Sequence, residues 1–246
     1  MVAEETPAVS LDGRFVAYTA QQGEHSQIFL RDTCEGAAAG CQSRTMRLSA
    51  AADGTAGNDD SGAPSMSSDG RYVAFNSAAT NIASGSPPGR QVYLHDTCFG
   101  AISTSCTPST QLVSTDAEGA LVGTEGILPS VSASGRFIAF VAVTPSHASS
   151  KSAAQAKSSA SNASNSGYRQ VFVRDTCIGA TSCTPKTTRI SLQPGDTSST
   201  DTKPAGPALS GSASRVALPG ANTATLFTRS VAVDDRVFLA LTGSHP

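Results

Sequence analysis

The sequence predicts an all-β chain: a β-propeller of four-stranded antiparallel blades, about four repeats with the last one incomplete, standing alone or as part of a larger propeller. Three observations predict it. One cassette recurs as Pro7-Ala-Val-Ser-Leu-Asp-Gly-Arg-Phe-Val-Ala-Tyr18, Pro64-Ser-Met-Ser-Ser-Asp-Gly-Arg-Tyr-Val-Ala-Phe75 and Pro129-Ser-Val-Ser-Ala-Ser-Gly-Arg-Phe-Ile-Ala-Phe140, with a worn copy from Pro207 to Leu218. A second cassette ending in Asp-Thr-Cys follows each clear copy, from Gln27 to Cys34, Gln91 to Cys98 and Gln170 to Cys177. Inside both cassettes apolar residues alternate with period two between Gly-, Ser- and Asp-rich breaks, the pattern of short half-buried strands.

Repeat two gives the elements in order. Pro64-Ser-Met-Ser is strand a. Asp69-Gly70 reads as a two-residue type I′ turn, whose central positions both need φ > 0. Arg71 to Ser77 is strand b. Gln91 to Asp96 is strand c, with Val92 and Leu94 on one face and Tyr93 on the other. Thr110 to Ser114 is strand d. Four such strands in sequence order, numbered outward from the axis, make one blade. The a–b turn and the c–d connection then share one rim, and the b–c and d–a loops share the other. The repeats fall near 7–50, 64–115, 129–192 and 207–243, a single propeller domain or segment.

The length variation is concentrated on one rim. Successive cassettes start at Pro7, Pro64, Pro129 and Pro207, and the growing spacing sits mainly in b–c and d–a loops. The low-complexity loop 144–167, rich in Ser and Ala, has little to bury and predicts a mobile segment, with a short helix over 152–159 as the alternative. In repeat four the turn is Gly-Ser-Ala-Ser and the cysteine pair is absent. Arg236-Val-Phe-Leu-Ala-Leu reads as strand c, which leaves strand d missing.

Six cysteines form three close pairs, 34/41, 98/106 and 177/183, each at the same point of its repeat. The drifting separation suits disulfides across a variable loop and does not suit a zinc site, which holds a fixed short spacing. Cys34–Cys41, Cys98–Cys106 and Cys177–Cys183 are therefore expected disulfides, and disulfides imply an oxidising compartment, periplasmic or extracellular. Met1 to Thr6 has neither a basic nor an apolar leader segment and reads as a mature or truncated start. The net charge of −2 gives no basic face for nucleic acid. No apolar run approaches the length of a membrane helix.

The Pro-x-x-Ser-x-Asp-Gly-Arg cassette, with its apolar b strand, resembles the TolB-type, WD40-like propeller repeat of exported bacterial proteins. Ser77-Ala-Ala-Thr-Asn-Ile82 is similar to the run that follows strand b in many such repeats. The resemblance spans residues 7 to 245 and implies a propeller. It does not imply one activity, because such propellers occur in partner-binding proteins, beside peptidases and in proteins of unassigned role. The b–c loop Ser84 to Gly89 lacks the carboxylates that related repeats often carry.

Residues that recur in register, Arg14/Arg71/Arg136 and Asp32/Asp96/Asp175, are expected to pair or cap strand ends. Function is sought in what differs between blades. Candidate ligand-binding residues are Asn58, Asp59, Asp60, His147 and Tyr168. Asp53, Asn58, Asp59 and Asp60 form a weak calcium candidate, since calcium needs six or more oxygens and this spacing is not that of an EF-hand. Otherwise no cofactor or metal is expected. Of the remaining histidines, His25 lies in a b–c loop and His245 near the end of the chain, while His95 replaces Arg31 and Arg174 of the neighbouring strands c and is expected to play their part. Asn162-Ala-Ser164 is a glycosylation sequon. No nucleophile elbow, His-Glu-x-x-His or P-loop occurs, and no catalytic residue is assigned. The sequence thus points to a binding or scaffold module for a protein or glycan partner, with the irregular rim as its surface. The alternatives are a hydrolase or hydrolase-associated propeller, and an extracellular subunit that self-associates through open blade edges.

Overall fold

The computed structural model describes residues 6–101, 104–144, 168–190, 206–219, 224–228 and 238–241. The strands are β1 (Ala8–Val9), β2 (Phe15–Gln22), β3 (His25–Asp32), β4 (Arg44–Arg47), β5 (Ser61–Met66), β6 (Tyr72–Ser77), β7 (Gln91–Asp96), β8 (Ser109–Leu112), β9 (Glu125–Val131), β10 (Phe137–Thr144), β11 (Tyr168–Asp175), β12 (Lys186–Arg189), β13 (Ala208–Leu209), β14 (Arg215–Pro219), β15 (Ala224–Thr228) and β16 (Phe238–Leu241). They form four antiparallel four-stranded sheets, each in sequence order, and no helix occurs among the described residues. Each sheet is one blade. Among the described residues, blades one to four pack in sequence order and the sheets do not close into a ring.

Blade four corrects the sequence reading. Its strand c is β15, an element without the Gln or Asp-Thr-Cys signature, and β16 is the fourth strand, paired to β15 from Leu226↔Leu241 to Thr228↔Phe238. The a–b turn is also not type I′. Gly70 alone has φ of +76°, and its N–H donates to the Ser67 carbonyl across Ser68 and Asp69. This is a type I turn closed by a left-handed glycine. Ser67 Oγ donates to Asp69 Oδ1 at 2.6 Å and accepts the Tyr72 N–H at 2.9 Å, which explains the recurring Ser-x-Asp-Gly. Pro64 sits at a bulge in β5, where the register against β6 skips between Gly62 and Ser65 and no ladder N–H is needed. The proposed helix over 152–159, most of the 144–167 loop and the 162–164 sequon lie outside the described residues.

The core lies between blades. Phe15, Ile28, Leu30 and Leu48 of blade one pack against Val73, Phe75 and Tyr93 of blade two. Val92, Leu94 and Val113 on the other face of blade two pack against Ile138, Phe140 and Phe172 of blade three. An axial relay of hydrogen bonds joins the turns: Leu11 N–H to Ser68 O, Ser68 N–H to Ala133 O, and Ala133 N–H to Gly211 O. Blade one ends this series on an open face. Its stacked Tyr18–Phe29 pair, 5.9 Å between centroids, is half-buried, whereas the corresponding Phe75–Tyr93 pair is wholly enclosed by blade one.

Candidate functional site

The repeated polar residues build a staple on the cysteine rim. Arg14 Nε and Nη2 donate to both Asp32 oxygens at 2.8 and 2.9 Å. Arg71–Asp96 and Arg136–Asp175 repeat the fork. Each guanidinium lies over the next aromatic ring, Phe15, Tyr72 or Phe137. The aspartate also caps the backbone N–H of Cys34, Cys98 or Cys177, each in the left-handed region with φ near +60°. Disulfides Cys34–Cys41, Cys98–Cys106 and Cys177–Cys183 close these loops, and no free cysteine remains. The hydrogen bond from Arg14 holds the Asp32 carboxyl below the usual carboxylate range. Burial acts to raise Asp96, but the bonds from Arg71 and Cys98 outweigh it and the net direction is down. The same arrangement in three blades marks a structural device.

A second recurring device escaped the sequence reading. Gln27 and Gln91 are buried at strand c, where each side-chain carbonyl accepts a serine hydroxyl, from Ser49 at 2.5 Å and from Ser114 at 2.6 Å. Their amides donate onward to Gly57 O and Thr124 O in the d–a loops. Only the recurrence of Gln at the head of each second cassette signalled it.

On the other rim, the candidate loop residues are occupied in holding loops together. Asn58 accepts the Thr80 N–H at 2.8 Å, and Asn81 Oδ1 accepts the Asn58 N–H at 3.0 Å, tying the d–a loop of blade one to the b–c loop of blade two. Asp60 Oδ1 accepts the Ser26 N–H at 2.8 Å, and this bond holds its carboxyl below the usual range. Asp59 and Asp60 come together with His25, while Asp53 is turned to its own Thr55. The four residues of the calcium reading are thus not gathered in one cluster. His147 and His245 lie outside the described residues, as does the side chain of Tyr168 at the start of β11.

A cleft of about 630 Å³ opens between blades one and two, in a place no motif marked. Its walls are the d–a loop of blade one with Ala50 and Ala51, the b–c loop of blade two with Ile82 and Ser84, and the outer strands of blade two with His95 and Thr110. His95 Nδ1 meets Thr110 Oγ1 at 2.9 Å, and burial pushes the imidazole pKa down to about 4, so the ring is neutral at pH 7. Within its blade His95 plays the arginines' part, since Arg31 and Arg174 bond the equivalent strand-d threonines Thr45 and Thr187. Arg174 bonds its own strand-d threonine, Thr187, and also reaches back to the Thr115 and Asp116 carbonyls of blade two at 3.1 and 2.7 Å. His95 keeps only the threonine bond, and the space beyond its ring is the cleft.

Solved structures to which the chain is similar match most of its length at 18% identity or less. They include TolB from Acinetobacter baumannii (18% identity, TM-score 0.46, over 91% of this chain and 40% of that one). Hydrazine synthase of Kuenenia stuttgartiensis has 15% identity and a TM-score of 0.45 over 89% of this chain and 51% of that one. The β-propeller domain of the trilobed protease from Pyrococcus furiosus, described as having an open velcro topology, has 10% identity and a TM-score of 0.41 over 95% and 51%. The chain is built of four-stranded antiparallel propeller blades. It spans about half of those structures or less, and the four-blade architecture stands on this chain's own sheets. No protein-family profile and no curated protein matches it. No helix among the described residues is long and apolar enough to cross a membrane, and three disulfides mark a non-cytoplasmic protein.

Proposed function

We propose that the chain is an exported β-propeller binding module, periplasmic or extracellular, that recognises a protein or glycan partner on the rim of b–c and d–a loops. The observation that carries this reading is the cleft between blades one and two, walled on two sides by loops of that rim. Concave sites that combine apolar walls with a few polar groups are the usual binding surfaces. Met46, Leu48, Ile82 and Pro108 supply the apolar part, and His95, Thr97 and Thr110 the polar part. The stapled rim repeats from blade to blade and offers no unique surface. The test compares Ser84→Trp, which narrows the cleft, with Glu35→Arg on the cysteine rim, in capture from native extract and on a glycan array. Loss of partner with Ser84→Trp alone is expected. Loss with Glu35→Arg alone would overturn the reading.

Self-association is a second reading, supported by the open face of blade one. There the half-buried Tyr18 and Phe29 occupy the register positions that wholly bury Phe75 and Tyr93 in blade two. Sedimentation velocity over a concentration series tests it, and a constant monomer would dismiss it.

A further inference from the structure

We propose that the cleft between blades one and two takes the guanidinium of an arginine residue of a partner polypeptide, in a seat that the protein fills with its own Arg174 one blade further on. This rests on the cleft being the partner-binding surface.

The argument is one of register. Arg31, His95 and Arg174 pair with Thr45, Thr110 and Thr187 at the same rung of strands c and d. The d–a loops that face them are also equivalent, since the bridge Ala50↔Ala56 in blade one matches Thr115↔Leu121 in blade two. At the interface of blades two and three, Nη1 of Arg174 is held by Thr115 O, Asp116 O and Thr187 Oγ1. At the interface of blades one and two, the counterparts Ala50, Ala51 and Thr110 all line the cleft, and the residue between them is the shorter His95. Thr110 Oγ1 meets His95 Nδ1 and the Ala51 carbonyl accepts the Gly54 N–H, so a guest guanidinium would use their second lone pairs together with the Ala50 carbonyl, and the chain places no guanidinium of its own between them. Backbone carbonyls and a hydroxyl, with no carboxylate, form an acceptor set that a planar, weakly hydrated guanidinium satisfies better than a compact ammonium does.

The rest of the wall fits an arginine residue and not a bare cation. Met46 and Pro108 offer apolar surface to the three methylenes. Arg47 is the charged side chain of the wall. Its Nη1 and Nη2 are committed to Gln22 and Gly54 O, and its buried Nε has no hydrogen-bond partner among the described residues. The backbone carbonyl of a bound arginine residue is an acceptor of the kind this N–H lacks. The like charge of Arg47 opposes any cation in the cleft, and a guanidinium, more weakly hydrated than an ammonium, is the cation that gives up less solvation on entering it. Arg174 shows that this fold accommodates a guanidinium at the same depth, although burial lowers its pKa.

The test uses the full chain with its disulfides intact. The probe is N-acetyl-arginine methylamide, followed by heteronuclear NMR and calorimetry against the citrulline and lysine counterparts. Saturable binding of the arginine probe is expected, with at least tenfold weaker binding of citrulline, which has the same shape without the charge. His95→Arg supplies the missing guanidinium from within and is expected to abolish probe binding. His95→Ala, which leaves the acceptors open, is expected to keep it. Equal binding of the citrulline probe, or unchanged arginine binding by a folded His95→Arg protein, overturns the proposal. The two failures are separable: if Ser84→Trp still removes partner capture while no arginine probe binds, the cleft binds something else. If Ser84→Trp leaves capture intact, the binding surface itself is elsewhere.

Discussion

Arg71 grips Asp96 with two parallel hydrogen bonds, Nε to Oδ1 and Nη2 to Oδ2, both at 2.9 Å. The pair closes the end of the b–c ladder in blade two and caps Cys98, so it couples strand pairing to the disulfide loop. Both side chains are about a quarter exposed, which limits the stabilisation. Asp96→Asn is expected to lose about 1–2 kcal/mol in urea unfolding, with Asp32→Asn at the upper end because Asp32 is more buried. The folded-state pKa of both carboxyls lies below the unfolded value, so their contribution is complete above about pH 4. It is lost as pH falls through the folded values. The variants should therefore show a flatter stability profile on the acid side than the parent.

His95 adds a dependence in a higher window. Burial holds the folded imidazole at about 4, whereas the unfolded ring takes up its proton near 6.5. The folded value is depressed, so stability is full above about pH 6.5 and declines as pH falls toward 4, by roughly 3 kcal/mol over the interval. His95→Gln removes the titrating group. Its unfolding free energy is expected to vary far less between pH 6.5 and 4, as chemical denaturation at several pH values would show. An equal slope in parent and variant would place the titration elsewhere.

Two glycines in equivalent turns should respond differently to alanine. At Gly70, φ is +76° and a Cβ would stand 2.3 Å from the Phe15 ring of the preceding blade. At Gly13, φ is +77° but nothing lies within 4 Å. Gly13→Ala is expected to lose only the left-handed penalty of about 1 kcal/mol, and Gly70→Ala about 2–4 kcal/mol, since overpacking adds to it. Ala213 holds the same turn position in blade four with φ of +56° and packs in one buried cluster with Phe137, so the turn accepts alanine there. Equal losses at both sites, read from melting curves, would show that Phe15 yields freely.

What the sequence made legible was whatever recurs. Pro-x-x-Ser-x-Asp-Gly-Arg placed strands a and b of three blades because turn, serine and arginine each act inside their own blade. The cysteine pairs were legible for the same reason. In blade four the local signature has decayed: Ala224-Thr-Leu-Phe-Thr228 carries neither the Gln nor the Asp-Thr-Cys marker, so the pattern alone points to β16 as strand c in place of β15. The cleft was not legible because it is a difference between two interfaces. The consequence of His95 appears only when Arg174 is seen to cross to Thr115 and Asp116, residues 59 and 58 positions away in sequence. The acidic run drew attention by composition, yet its hydrogen-bonding capacity is largely used by Ser26, Thr55, Thr80 and Asn81.

The disulfides offer the most direct check on the staple. All six cysteines are paired, so denatured, unreduced protein is expected to show almost no free thiol. Loops of six to eight residues restrict the unfolded chain modestly. Each bond should contribute roughly 2–2.5 kcal/mol in the chain-entropy view. Replacing Cys98 and Cys106 together by serine should lower stability by about that amount, and more than the same change at Cys34 and Cys41. The reason is position: Phe99, next to Cys98, stacks on Phe15 at 4.6 Å and carries the loop of blade two onto blade one. The Cys34 loop borders the open face. Equal losses for the two pairs, measured by urea unfolding, would mean that the loops act only through chain entropy and that the Phe15–Phe99 contact survives without its staple.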